Sequence, residues 1–213
     1  MEKKIYNQDL YPNLLDKINL TSLEIVEQTK SFKLVFSRIK DKRVEWGMQL
    51  PMFVPAFYDF IIQNGKVPSQ VDFYNHYIMS NSDFFHSGTF DKSLFPAIMA
   101  RAYRTYPSLV RDVCFNKYVQ EHISGYSVVY NIDLDVSEGI DLMLSQGNNH
   151  FAINLFTQTN RAYVGRAKKA YRHTPFENVK YIDFPVNFKG SYQNGDFFLY
   201  WEAEYQQLIS KLS

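Results

Sequence analysis

The stretch Ser137–His173, SEGIDLMLSQGNNHFAINLFTQTNRAYVGRAKKAYRH, gathers the residue types that handle phosphate. Asp141 closes Gly139-Ile140-Asp141, Asn154 lies thirteen positions on inside an apolar alternation, and Arg161, Arg166, Lys168, Lys169, Arg172 and His173 follow. A carboxylate is a hard oxygen ligand for Mg²⁺, an amide carbonyl can add a second oxygen, and Lys and Arg neutralise phosphate. From Asn160 to Lys180 the only acid is Glu177. At about 3.6 residues per turn, Arg161, Lys168, Lys169 and Arg172 fall on one side of a helix. Phosphate contact and a solvated outer helix both fit that pattern.

These residues need a scaffold. Tyr126–Ile132, YSVVYNI, is β-branched and aromatic and reads as a strand. Asp133–Glu138 reads as a turn. Gly139–Leu144 and Phe151–Thr157 read as two further strands, joined across Gln146-Gly147-Asn148-Asn149, a strong hairpin signal. Asp141 then lies in the second strand. Asn154 lies in the third, facing opposite to Ile153 and Leu155. If buried, Asn154 must be hydrogen-bonded, and Asp141 is a sufficient partner. Arg161–Arg172 reads as a helix capped by Thr159 or Asn160, Val179–Phe184 as a fourth strand closed by Pro185, and Phe197–Leu212 as a closing helix. Upstream, Leu94–Thr105 and Ser108–Ile123 read as two helices divided by Pro107.

The N-terminal part reads differently. Phe53–Gln63 has a helical apolar face, Asn64-Gly65 stops it, and Ser69 caps a second helix over Gln70–Met79. The outline is that of a helix-turn-helix, but the second helix has no Arg or Lys to read bases, which favours a packing module. Leu23–Ile39 fits either a strand pair or an amphipathic helix. Its basic end, Lys33, Arg38, Lys40, Lys42 and Arg43, stands against Asp41 and Glu45. A solvated surface is the plainer reading there and nucleic-acid contact the functional one. Asn81–Thr89 is a polar loop that marks a boundary, giving a mainly helical region over 1–90 and an α/β core over 91–213.

Composition limits the function classes. With 213 residues and a net charge of +1, the chain can bury a substantial core, and its overall charge gives no support for a nucleic-acid partner. The 18 Phe and 16 Tyr either fill that core or stack at interfaces. Cys114 is the only cysteine, which excludes an intrachain disulfide and a Cys-based zinc site; it reads as a buried apolar residue. The five histidines show no metal-binding spacing, and no P-loop, GxGxxG or G-x-S-x-G motif occurs. No signal peptide and no run of ~18 apolar residues is present, so a cytoplasmic location without a membrane span is expected. For a phage product that means the host cytoplasm or a virion.

The order helix, three strands, helix, strand, helix, with Gly139-Ile140-Asp141 in the second strand and a polar position in the third, resembles the restriction-endonuclease-like PD-(D/E)XK superfamily over about residues 94–212. In that superfamily an acid in the second strand and an acid-x-Lys in the third hold Mg²⁺ and orient the attacking water. On that resemblance Asp141 falls on the first acid, Asn154 on the second and Phe156 on the Lys. Asn154 brings no charge to a hard cation, and Phe156 cannot activate water. Glu138 or Glu121 is then the replacement carboxylate, and Lys168 or Lys169 the displaced Lys. The resemblance implies a Mg²⁺-dependent endonuclease acting on DNA, of restriction, defence, phage or mobile-element type. Asp141 and Glu138 would bind metal with Asn154 as auxiliary. Arg161, Arg166, Lys169, Arg172 and His173 would clamp the DNA backbone. The alternative is a catalytically inactive nuclease-fold subunit that binds DNA, another protein or a second copy of itself in a larger assembly. A helix-turn-helix regulator using residues 53–79 ranks below both.

Overall fold

The computed structural model describes residues 4–159, 163, 174–187 and 190–212. Helices α1 (Ser22–Thr29), α2 (Phe53–Asn64), α3 (Gln70–Ser80), the short α4 (Ser82–Phe85) and the long α5 (Phe95–His122) come first. Strands β1 (Ser127–Val129), β2 (Leu142–Gln146), β3 (Asn149–Thr157) and β4 (Val179–Val186) follow, then a β5–β6 hairpin (Tyr192–Asn194, Phe197–Leu199) and helix α6 (Glu202–Leu212). The protein is mixed α/β and divides into two compact units. One comprises Met1–Lys17, Cys114–Tyr192 and Phe198–Ser213, the other Ile18–Val113 and Gln193–Phe197. The division falls inside α5, between Val113 and Cys114, rather than at residues 90–91. Residues 81–89, expected as a polar loop, contain α4, and Phe84, Phe85, Phe90 and Phe95 pack ring against ring.

In the helical unit, local chemistry sets α2 and α3. Gly65 ends α2 with φ +61°, a left-handed conformation that suits glycine. Ser69 caps α3 through a reciprocal box with Asp72. Pro107, however, does not divide α5. A helical proline lacks the N–H that would bond the carbonyl four residues earlier, here Tyr103. Gln70 Nε2 donates to that carbonyl at 3.0 Å instead. Gln70 is buried, and its amide also bonds Val35: Oε1 accepts from Val35 N at 2.7 Å and Nε2 donates to Val35 O at 3.2 Å. One side chain thus satisfies the carbonyl orphaned by a proline and pins an extended segment. The segment Leu23–Ile39 is helical only to Thr29, and residues 32–40 have no regular secondary structure.

In the sheet unit the order is β1-β2-β3-β4. The first three strands form an antiparallel meander, and β4 runs parallel to β3. Gly147, at φ +58°, makes the β2–β3 turn and brings Gln146 opposite Asn149. Strand β2 begins after Asp141, later than the sequence suggests, because Leu134–Glu138 is a π-helical turn and Gly139 redirects the chain at φ +69°. Leu142, Leu144, Ile153, Ile182 and Phe184 share one face by register, and the Phe115 ring of α5 stacks on Phe184 with centroids 6.4 Å apart. On the opposite face Met143 and Ala152 pack with Tyr6, Val129, Leu134, Ile140 and Phe176. Strand β4 continues through Pro185. Val186 O accepts from Gln158 N at 2.8 Å. Strand hydrogen bonding alternates, so the Pro185 nitrogen faces away from β3 and no ladder bond is lost.

The helix expected from Phe197 starts at Glu202, since Phe197–Leu199 pairs as a strand with Tyr192–Asn194 across Gly195-Asp196. A Cβ at Gly195 would stand 2.6 Å from Lys30 O. The helix predicted over Arg161–Arg172 falls outside the described residues apart from Tyr163. Among the described residues no helix is long and apolar enough to cross a membrane.

Gln70→Leu strands the Tyr103 carbonyl and both Val35 backbone groups. It is expected to lower unfolding free energy by about 2–4 kcal/mol, read as a reduced urea midpoint at unchanged slope. Cys114 is buried, and burial first, with the Glu121 charge second, pushes its thiol up to about 12. A thiol-specific disulfide reagent at pH 8 should label it only at the rate at which the fold opens, and rapidly in urea.

Candidate functional site

The candidate site follows from two registers. Leu142 is opposite Ile153, and Asp141 N also donates to Ile153 O at 3.0 Å, which sets Asp141 beside β3 just before β2 begins. On the other side Asn154 is opposite Asp183. Asn154 and Asp183 therefore sit side by side on one face of the sheet, and Asp141, whose carboxylate accepts from Leu155 N, extends them to a polar row across three neighbouring segments. Asn154 is buried at 5% exposure, Asp141 is half-buried, and Asp183 is exposed. The row runs from a protected centre to open solvent at one end.

Backbone and side chains orient it. Leu155 N donates to Asp141 Oδ2 at 2.6 Å, a charge-assisted bond that fixes the carboxylate over the start of β2. Asn154 Nδ2 donates to Asp183 Oδ1 at 3.4 Å. Asn116 of α5, fully buried, reaches Asp141 O through Nδ2 at 3.5 Å. The Asn154 amide, expected against Asp141, donates to Asp183.

The other predicted site residues separate. Glu138 ends the π-helical turn and forms an ion pair with Lys4, so its charge already has a partner. Glu121 lies in the last turn of α5, where its charge acts on the Cys114 thiol. Phe156, at the position of the superfamily's Lys, meets Tyr163 edge-on with centroids 5.2 Å apart. An aromatic pair therefore stands two residues along from Asn154. Lys168, Lys169, Arg161, Arg166, Arg172 and His173 lie outside the described residues.

Sequence reading missed two residues. Asp183 sits inside Val179–Val186 as Asn154 sits inside β3, a polar residue in an apolar strand, and that was the available signal. Glu204 of α6 is buried, and its carboxylate accepts from Trp201 N at 2.9 Å and Ser191 Oγ at 3.0 Å. It borders a cleft of about 230 Å³ lined also by Gln158, Asn187, Gly190 and Gln207, just past the carboxyl ends of β3 and β4. Clefts at the carboxyl ends of parallel strands are common ligand sites.

Among the described residues no group of three or more His, Cys, Asp or Glu is gathered to hold a metal ion. The row offers two carboxylates and one amide, an all-oxygen set of the kind Mg²⁺ prefers, with remaining positions for water or phosphate oxygens. No protein-family model matches the chain, and none of the curated proteins is similar to it in sequence.

The Leu155–Asp141 bond gives Asp141 a structural share that can be measured. Asp141→Ala leaves Leu155 N without that acceptor and is expected to cost about 1.5–3 kcal/mol. Asp141→Asn keeps a carbonyl acceptor and should cost less than half as much in the same urea titration.

Proposed function

We propose that the protein is a metal-dependent phosphodiester hydrolase acting on DNA, with Asp141, Asn154 and Asp183 as its metal-facing residues. The observation that carries this reading is Asp183 standing in register beside Asn154. It returns to the row the second carboxylate that Asn154-Leu155-Phe156 lacks. The sheet order, with an antiparallel meander and a parallel fourth strand after α5, supports reading this unit as a restriction-endonuclease-like core. A bound Mg²⁺ would polarise the scissile phosphate and acidify a coordinated water. Asp141, held by Leu155 N, and Asp183 supply the negative charge. Lys168 or Lys169 is assigned to the attacking water, and Arg161, Arg166, Arg172 and His173 to the DNA backbone. Action in the cytoplasm of a cell, or of a phage host, belongs to the same reading, as does a restriction, defence or mobile-element role.

A second reading has its own support. The 2.6 Å bond from Leu155 N to Asp141 and the Lys4–Glu138 ion pair give two carboxylates structural occupations. That is the pattern of a nuclease fold kept as a binding subunit, for DNA, a protein partner or a second copy of the chain.

Calorimetry with Mg²⁺ and Mn²⁺, run beside plasmid nicking, separates the two. Asp141→Asn and Asp183→Asn should each weaken metal binding at least tenfold and abolish nicking. Wild-type protein that neither binds metal nor nicks would overturn the hydrolase reading. Salt-sensitive DNA affinity in that same sample would establish the binding subunit.

A further inference from the structure

Between residues 33 and 46 the chain carries Lys33, Arg38, Lys40, Lys42 and Arg43 against Asp41 and Glu45. This strap has no regular secondary structure as far as Lys40 and ends in a π-helical turn over Arg43–Gly47. Its backbone is nevertheless held from beneath at six points. Leu34 N donates to Asp196 Oδ2 at 2.9 Å, and the Val35 N–H and carbonyl both bond Gln70. Ser37 O and Ile39 O accept from Arg104 Nη1 at 3.2 and 2.8 Å. Val44 O accepts from Arg101. Arg104 Nη2 also binds the Glu45 carboxylate, so one guanidinium gathers residues 37–39 and 45 about itself.

With the backbone held inward, apolar side chains point out. Trp46 is 83% exposed and Phe36 69%, and Val35 and Ile39 are exposed beside them. The acids of the strap are neutralised within the unit: Asp41 by Arg43, which also binds Asp91, and Glu45 by Arg104. Lys33 lies 3.8 Å from Asp196. Arg38, Lys40 and Lys42 are exposed and have no ion-pair partner among the described residues. Two outward aromatic rings on a fixed backbone, interleaved with three uncompensated cations, match the two needs of a single strand: faces for bases and charges for phosphates.

We propose that the strap, residues 33–46 of the helical unit, is a landing surface for single-stranded nucleic acid. Phe36 and Trp46 stack on bases, and Arg38, Lys40 and Lys42 contact phosphates. A single strand suits it better than a duplex, whose bases hide their faces in the stack. The pinned backbone lowers the ordering cost of binding. The strap belongs to a different unit from the polar row, and its binding does not require hydrolysis there.

The test is fluorescence anisotropy of a labelled fifteen-nucleotide oligothymidine titrated with the full chain across 50–200 mM salt. A duplex of equal length and phosphatidylcholine–phosphatidylserine vesicles run beside it. Three phosphate contacts predict that the triple variant Arg38→Ala/Lys40→Ala/Lys42→Ala flattens the slope of log K against log salt by about 2. Trp46→Ala should weaken binding roughly tenfold without changing the slope, and Trp46→Phe should restore most of it. All of these positions are exposed, so urea midpoints should match wild type. The triple variant and Trp46→Ala should titrate Mg²⁺ in the calorimeter as the wild type does, which keeps this proposal apart from the hydrolase reading. Undiminished binding in the triple variant and in Trp46→Ala overturns it. So does a triple variant that loses more affinity for the duplex or the vesicles than for the oligonucleotide.

Discussion

The register of β3 is the constraint on which the candidate site depends. This strand pairs antiparallel with β2 and parallel with β4, and both ladders fix which of its residues face which way. A slip of one residue would turn every side chain to the other face. Asn154 would then enter the apolar layer under α5, and Ile153, now fully buried, would leave it. Each large apolar side chain lost from the core costs about 1.5–3 kcal/mol. The polar row is thus held in line by the apolar face behind it, where Leu142, Ile153, Ile182 and Phe184 are buried. The Gly147 turn sets the same register from the end of the hairpin.

How much of this was legible in the sequence depends on how far apart the interacting residues lie. Gly65, Ser69 and the Gly147 turn were readable because each acts on its immediate neighbours. Asn154 was readable as a polar position inside β3 because the hairpin turn sets that strand. Asp183 was not, because parallel pairing with β3 leaves no trace in local spacing. Pro107 misled for the same reason: the helix continues through it because Gln70, far away in sequence, accepts the orphaned carbonyl's demand for a donor. Phe197–Leu199 misled differently. Its apolar run satisfies a helix pattern and a strand pattern alike, and the turn at Gly195 decided between them.

The helical unit shows a second way to order a chain. The residues after α1 have no strand partner among the described residues, yet Gln70 and Arg104 present donors and acceptors to them much as a neighbouring strand would. Asn194 does similar work at the end of α1, donating to Val26 O at 2.8 Å and Thr29 Oγ1 at 3.0 Å. Buried amides and a guanidinium therefore take over the role of backbone pairing, and the exposed side chains of the segment are carried on a defined path.

Pro185 has a consequence for the protein in a crowded solution. By the order of the described sheet β4 is an outer strand, and an outer strand is a template on which another chain can lay itself down. Where β4 turns outward at Pro185 it offers a carbonyl but no N–H, and the proline ring stands where an incoming strand would run. A second copy approaching that side would find a donor missing near the carboxyl end of the strand. The residue that closes the strand pattern in the sequence also blunts the edge against self-recruitment, so the sheet can keep its polar end open to solvent without inviting its own kind to extend it.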